Sequence, residues 1–270
     1  MVWNYTIFFH SFNTLLLTSS IYLSEYSYIP YYIAFIFCVM ASYFSFTVMH
    51  EGSHNSICKN TIVNDVIGIM SSILVSPFSS FYAFKYIHKH HHIHVNTHLD
   101  PDFWISHSKT FPIMQSILQI PYYYVYIIRR YINGKMRYYL FLVCLYQVVI
   151  VTLTFSTMFA LKFYYSLSII YYYIFLPSII SVPILSFMLT YIPHRNEGPG
   201  KYENTSIIQI EFIPEFITNI IMCNQNYHII HHLNPSIPFY NYQSYYRDKS
   251  KIENVRKKSI SLFDIPYLYN

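Results

Sequence analysis

Apolar residues in this chain fall into long runs, not at the three- and four-residue spacing of an amphipathic surface helix. The runs cover residues 5–23 (mildly interrupted by His10, Asn13 and several Ser and Thr), 30–49, 138–161 and 166–192. A helix of about 20 residues rises about 30 Å, enough to cross the hydrocarbon core of a bilayer. The short polar turns at 24–28 and 162–165 pair the runs into two transmembrane hairpins, and Pro30 suits a helix start. Pro177 and Pro183 are expected to kink the last span, which neighbouring helices can tolerate. The pattern predicts an all-α integral membrane protein with four transmembrane helices and a cytoplasmic helical cap, residues 50–137 and 193–245.

Two shorter apolar segments, 66–84 with Pro77 and 111–128 with Pro112 and Pro121, are expected to lie along the interface or to re-enter it. A single crossing by 66–84 would put His54 and His88 on opposite faces, roughly 30 Å apart. No composition break divides the chain, so residues 1–270 are read as one domain ending in a basic tail, 246–270.

The polar remainder is dominated by histidine. Residues 84–102 read F-K-Y-I-H-K-H-H-H-I-H-V-N-T-H-L-D-P-D and hold His88, His90, His91, His92, His94 and His98. His50 and His54 precede this stretch, His194 follows the last span, and His228, His231 and His232 come later. On a helix the i, i+4 spacing of His50 and His54 stacks them on one face. The H-x-x-H-H spacing of His228, His231 and His232, repeated by His88, His91 and His92, places three imidazoles on one face, able to converge on a metal. His90 then points elsewhere, and His10 and His107 read as a polar residue in a span and a loop residue.

The three clusters together with His194 offer nine imidazoles. A structural zinc takes four ligands, so nine ask for two metals with positions left open for a small molecule. Imidazole serves Fe, Zn, Cu and Ni alike, so ligand type alone does not choose among them. His94, Asn96, Asp100, Asp102 and Asn224 are candidates for orienting the ligands by hydrogen bonds, with a plain polar D-P-D turn as the alternative for the two aspartates.

Composition supports the membrane reading: 54% of residues are hydrophobic and only 11% charged, where soluble domains have about 25% charged. With 31 Tyr and 22 Phe against 5 Gly, a general bias accounts for aromatic clusters. Of the 17 Lys and Arg, all but Lys162 fall on the histidine-bearing side of the four-span topology, which marks that side as cytoplasmic or its stromal equivalent. The net charge of +5 is too diffuse for a nucleic-acid face. Cys38, Cys58, Cys144 and Cys223 form no C-x-x-C, which leaves a zinc ribbon, a rubredoxin-like module and a disulfide framework without support. The N-terminus shows no basic region or cleavage site, so 5–23 reads as a retained span. In the tail, Arg247, Lys249, Lys251, Arg256, Lys257 and Lys258 suit anionic headgroups or an acidic electron donor.

A metal site at the membrane surface, reached by apolar molecules from the bilayer, suits oxidation of an unactivated C–H bond in a lipid, with two irons sharing the electrons that reduce O2. A metal transporter would place its ligands near the midplane within spans, whereas these clusters lie beyond span ends.

H-E-G-S-H (residues 50–54), H-K-H-H-H-I-H-V-N (88–96) with D-P-D (100–102), and N-Y-H-I-I-H-H-L (226–233) resemble the membrane di-iron fatty acid desaturase/hydroxylase superfamily. H-V-N after the second box, Y-I-P-H-R (191–195) and Q-N-Y-H-I-I-H-H-L-N-P-S-I-P-F-Y-N-Y (225–242) are most similar to the cyanobacterial-type β-carotene hydroxylases. The resemblance covers roughly residues 45–245. It implies iron-ligand roles for His50, His54, His88, His91, His92, His194, His228, His231 and His232, with two Fe, O2 as co-substrate and a separate ferredoxin-like donor. It also implies 3-hydroxylation of a β-ionone ring, taking β-carotene through cryptoxanthin to zeaxanthin; acyl-lipid desaturation by the same chemistry is the alternative. Asn234 and Phe239 depart from the bulky residue and the tryptophan common at those places, and the first box carries Glu51.

Overall fold

The computed structural model describes residues 4–108, 112–248 and 257–260. Contacts divide the chain into two compact units, 1–87 with 119–184 and 88–118 with 185–270.

In the first unit the helices are α1 (Tyr5–Glu25), α2 (Tyr31–Ser53) and α3 (Thr61–Val75), the start of α4 (Phe81–His94), α7 (Gln119–Ile132), α8 (Tyr138–Ala160) and most of α9 (Tyr164–His194). Among the described residues, three helices, α2, α8 and α9, are long and apolar enough to cross a membrane. α1 has 21 residues, but its buried face is largely polar (Thr6, His10, Asn13 and Ser20 beside Leu17), and the fourth predicted span does not join the other three on apolarity. α3, at 15 residues, is a shorter apolar helix that covers the first part of the 66–84 segment.

Small and polar residues let these helices approach closely, the usual device where lipid gives no hydrophobic drive between them. Ser42 of α2 bonds Ser181 of α9 and donates to the Val75 carbonyl at 2.7 Å. Ser72 of α3 donates to Gln147 Oε1 of α8 at 3.0 Å. Asn64 accepts from the Ile57 amide at 3.0 Å and donates to the Cys58 and Asn60 carbonyls, each at 2.7 Å, pinning the loop that follows α2. Prolines 177 and 183 are taken up in α9 between two wider π-helical turns, Tyr171–Phe175 and Ser186–Tyr191.

The second unit holds the end of α4, α5 (Phe103–Ser106), α6 (Pro112–Ile117), the end of α9, β1 (Ile207–Ile210), α10 (Glu215–Ile221), α11 (His228–Leu233), α12 (Tyr242–Arg247) and β2 (Lys257–Ile260). The chain is mostly helical, as expected, with one strand pair added here: β1 and β2 pair in parallel, Ile207 opposite Lys257 through Ile210 opposite Ile260. The isoleucine-rich segment 207–210 follows no helical period and favours an extended, pleated surface. Part of the tail is therefore ordered against it, while Lys249, Lys251 and Arg256 lie outside the described residues.

Gly52 lies where α2 crosses α3. A Cβ there would stand 2.8 Å from the Asn64 carbonyl oxygen and 3.1 Å from Gly68 Cα, both backbone atoms that cannot step aside. Gly52→Ala is expected to lower stability by about 1–3 kcal/mol, read as a fall in the thermal midpoint of the detergent-solubilised protein. A wild-type midpoint would show that the helices do not meet there.

Candidate metal centre

α2 runs past its apolar stretch to Ser53, so His50 sits in its last turn and His54 caps it. Their rings lie 5.1 Å apart, and His50 stacks on Phe46 at 5.8 Å. Glu51, between them, is buried and accepts from Ser56 Oγ at 2.8 Å. These contacts belong to the first unit.

The second unit brings the other seven predicted ligands together in two groups. His91, His194, His228 and His232 offer ring nitrogens that all lie within 4.8 Å of one another. His228 Nε2 is 3.1 Å from His194 Nε2 and 3.1 Å from His232 Nε2. In the second group His92 Nε2 lies 3.1 Å from His88 Nε2 and 2.8 Å from His231 Nε2.

The expectation that each H-x-x-H-H box converges on one metal is thereby corrected. At about 100° per residue, positions i and i+4 lie about 40° apart, while i+3 lies about 60° to the other side of i. The pairs His88/His92 and His228/His232 stay together. Each intervening histidine crosses over: His91 joins His194 and His232, with rings 4.7 and 5.1 Å apart, and His231 joins His92 at 4.7 Å.

Hydrogen bonds on the far side of the rings orient several of these nitrogens. His91 Nδ1 donates to Asp100 at 2.9 Å, with Asp102 at 3.6 Å. His194 Nδ1 donates to the Asn204 carbonyl at 2.9 Å, and His231 Nδ1 lies 3.1 Å from the hydroxyl of buried Tyr242. Asp100 and the Asn204 carbonyl can only accept, so Nδ1 of His91 and of His194 carries a proton and Nε2 is the nitrogen left for the other rings. Asn96 joins the two supports. Its amide donates to Asp100 Oδ2 at 2.9 Å, and its side-chain Nδ2 donates to the Asn204 and Gly198 carbonyls at 2.7 and 2.9 Å. Its backbone is left-handed, φ 57°, a conformation asparagine tolerates.

Burial works to lower the His91 pKa, but the charge and hydrogen bond of Asp100, with Asp102, outweigh it and hold it above the ordinary value. Burial likewise opposes charge on Asp100, and His91 and the amides of Asp102 and Asn96 prevail, keeping the carboxylate below its usual range. Burial, with the surrounding histidines, pushes His232 well below the usual histidine value, so it is neutral and able to donate a lone pair.

The donor set fits metal ions. Nitrogens bound to one ion at about 2.1 Å stand roughly 3.0–3.4 Å apart, and the observed contacts are 2.8–3.1 Å. Such a gathering of ring nitrogens suits a cation lying among them.

Residues 27–256, most of the chain, match the fatty acid desaturase family. The chain belongs to that family. No curated protein matched it. Membership makes this desaturase-family protein an enzyme with desaturase/hydroxylase-type chemistry in a lipid environment, and its histidine groups are compatible with iron.

Other sequence candidates fall elsewhere. His94 stands beside His90, rings 6.3 Å apart, and belongs to neither group. Asn224 works through its backbone in the turn before α11, with φ 57° and its amide donating to the Asn219 carbonyl at 2.8 Å. His98 and His107 pack on Phe103, at 4.6 and 4.1 Å, and His10 meets Ser71 Oγ at 2.9 Å. Tyr242 and the Asn204 carbonyl had not been singled out. Tyr242 closes the third motif and was within reach of sequence reasoning, whereas a main-chain carbonyl has no signature.

Asp100→Asn is expected to weaken metal binding 10–100-fold, because it removes the charge that supports His91 while keeping an acceptor in place. Titrating the purified protein with Co2+ and following its visible absorption checks this; an unchanged affinity would detach Asp100 from the site.

Proposed function

We propose that the chain is a four-span membrane di-iron oxygenase, its site on the cytoplasmic or stromal side, that hydroxylates the β-ionone ring of a carotenoid, taking β-carotene through cryptoxanthin to zeaxanthin. The observation that carries the metal reading is the set of inward-facing Nε2 atoms 2.8–3.1 Å apart in two adjoining groups. The likeness of 191–195 and 225–242 to carotenoid hydroxylases carries the substrate. His91, His194, His228 and His232 would hold one iron, and His88, His92 and His231 belong to the other. His50 and His54 are proposed as iron ligands on their spacing and the same resemblance. A pair of irons supplies the electrons with which O2 is turned on an unactivated C–H bond.

The chain's own residues do the rest. Asp100, Asn96 and the Asn204 carbonyl hold His91 and His194 with Nε2 left for the other rings, and Tyr242 steadies His231. Buried Ile229 and Ile230 on α11 keep water from the imidazoles. The apolar helices α2, α8 and α9 suit a substrate arriving from the bilayer. Exposed Arg247 and Lys257 suit the acidic surface of a separate ferredoxin-like donor.

Expression in cells that accumulate β-carotene is expected to give hydroxylated carotenoids. His91→Ala, His194→Ala and His231→Ala should each abolish the product, while His107→Ala, which removes packing on Phe103 and a contact with Ser106 Oγ, should leave it. Unchanged β-carotene beside a new double bond in the membrane lipids would identify an acyl desaturase instead.

A further inference from the structure

His194 is the last residue of α9, and the carbonyls around it lie at a helix C-terminus, where main-chain oxygens have no partners further along the helix and carry partial negative charge. Three of them are held by residues later in the chain. Thr205 Oγ1 donates to the Pro193 carbonyl at 3.1 Å. Lys258 Nζ donates to the Arg195 carbonyl at 2.8 Å and to the Ile192 carbonyl at 3.4 Å, with Glu197 Oε1 at 3.9 Å.

Strand geometry explains how the lysine gets there. Successive side chains on β2 point to opposite faces. Lys257 is exposed, its ammonium 5.5 Å from the Tyr246 ring, while Lys258 is half-buried and turned to the end of α9. Parallel pairing of Lys258 with Ile208 sets the reach, and Ser259 Oγ ties the strand to Glu211 at 2.6 Å.

We propose that Lys258 is a positioning residue for His194: β2 brings an ammonium that grips the carbonyls on either side of this histidine and so fixes where its imidazole points. One basic residue of the tail is then part of the metal centre's support, not of a solvated docking face. The inference rests on His194 being a ligand.

The test compares full-length wild type with Lys258→Met, Lys258→Arg and Lys257→Met in detergent. Each is titrated with Co2+ by visible absorption, and backbone hydrogen exchange is followed over residues 192–197. Lys258→Met is expected to bind Co2+ about tenfold more weakly, with an altered ligand-field spectrum and faster exchange at 192–197. Lys258→Arg should restore all three, and Lys257→Met should match wild type. Should Lys258→Met not fold, Lys258→Gln is read in the same way. Wild-type exchange and affinity in the neutral variant, or no recovery with arginine, would overturn the proposal. If the wild-type chain takes up no Co2+, the metal reading fails, and exchange at 192–197 still decides the clamp: faster in the neutral variant supports it, unchanged overturns it.

Discussion

Seven imidazoles meet in one compact unit, and the architecture of that unit follows from holding their ring nitrogens together. Nε2 contacts of 2.8–3.1 Å link His194, His228 and His232 in one group and His88, His92 and His231 in the other, while Asp100 and the Asn204 carbonyl keep a proton on Nδ1 of His91 and His194. A positive ion in each group would turn these crowded nitrogens into ligands. Acceptors behind the rings suit that role, because an imidazole fixed in orientation loses little freedom when it binds.

Most of the clustered histidines sit at helix ends or in short helices. His91 and His92 sit in the last turn of α4, His194 ends α9, and α11 is only six residues long. Short elements alone would not hold their direction. Asn96 ties the loop after α4 to the loop after α9 through the Asn204 and Gly198 carbonyls, and the β1–β2 pair returns the tail to the end of α9. In the first unit, glycine, serine and asparagine contacts among α2, α3, α8 and α9 do the corresponding work.

Much of this was legible in the sequence. Runs near 20 residues marked α2, α8 and α9, and histidine spacing marked the ligand-bearing turns. α1 was a weaker case, because His10, Asn13 and their neighbours face inward and lower its apolarity. The spacing argument also placed three imidazoles of each box on one metal, since it treats i+3 and i+4 as equivalent; their separation of about 100° around the axis sends them to different groups. What could not be read was long-range. The Asn204 carbonyl, the Tyr242 hydroxyl and the Lys258 ammonium reach their partners through folding, and the isoleucines of β1 carry no sign of which strand they will meet.

Iron content per folded chain, measured after reconstitution with Fe2+ and removal of loosely bound metal, bears most directly on the central claim. Two irons per chain are predicted. A single zinc, one iron or no metal on correctly folded protein would contradict it.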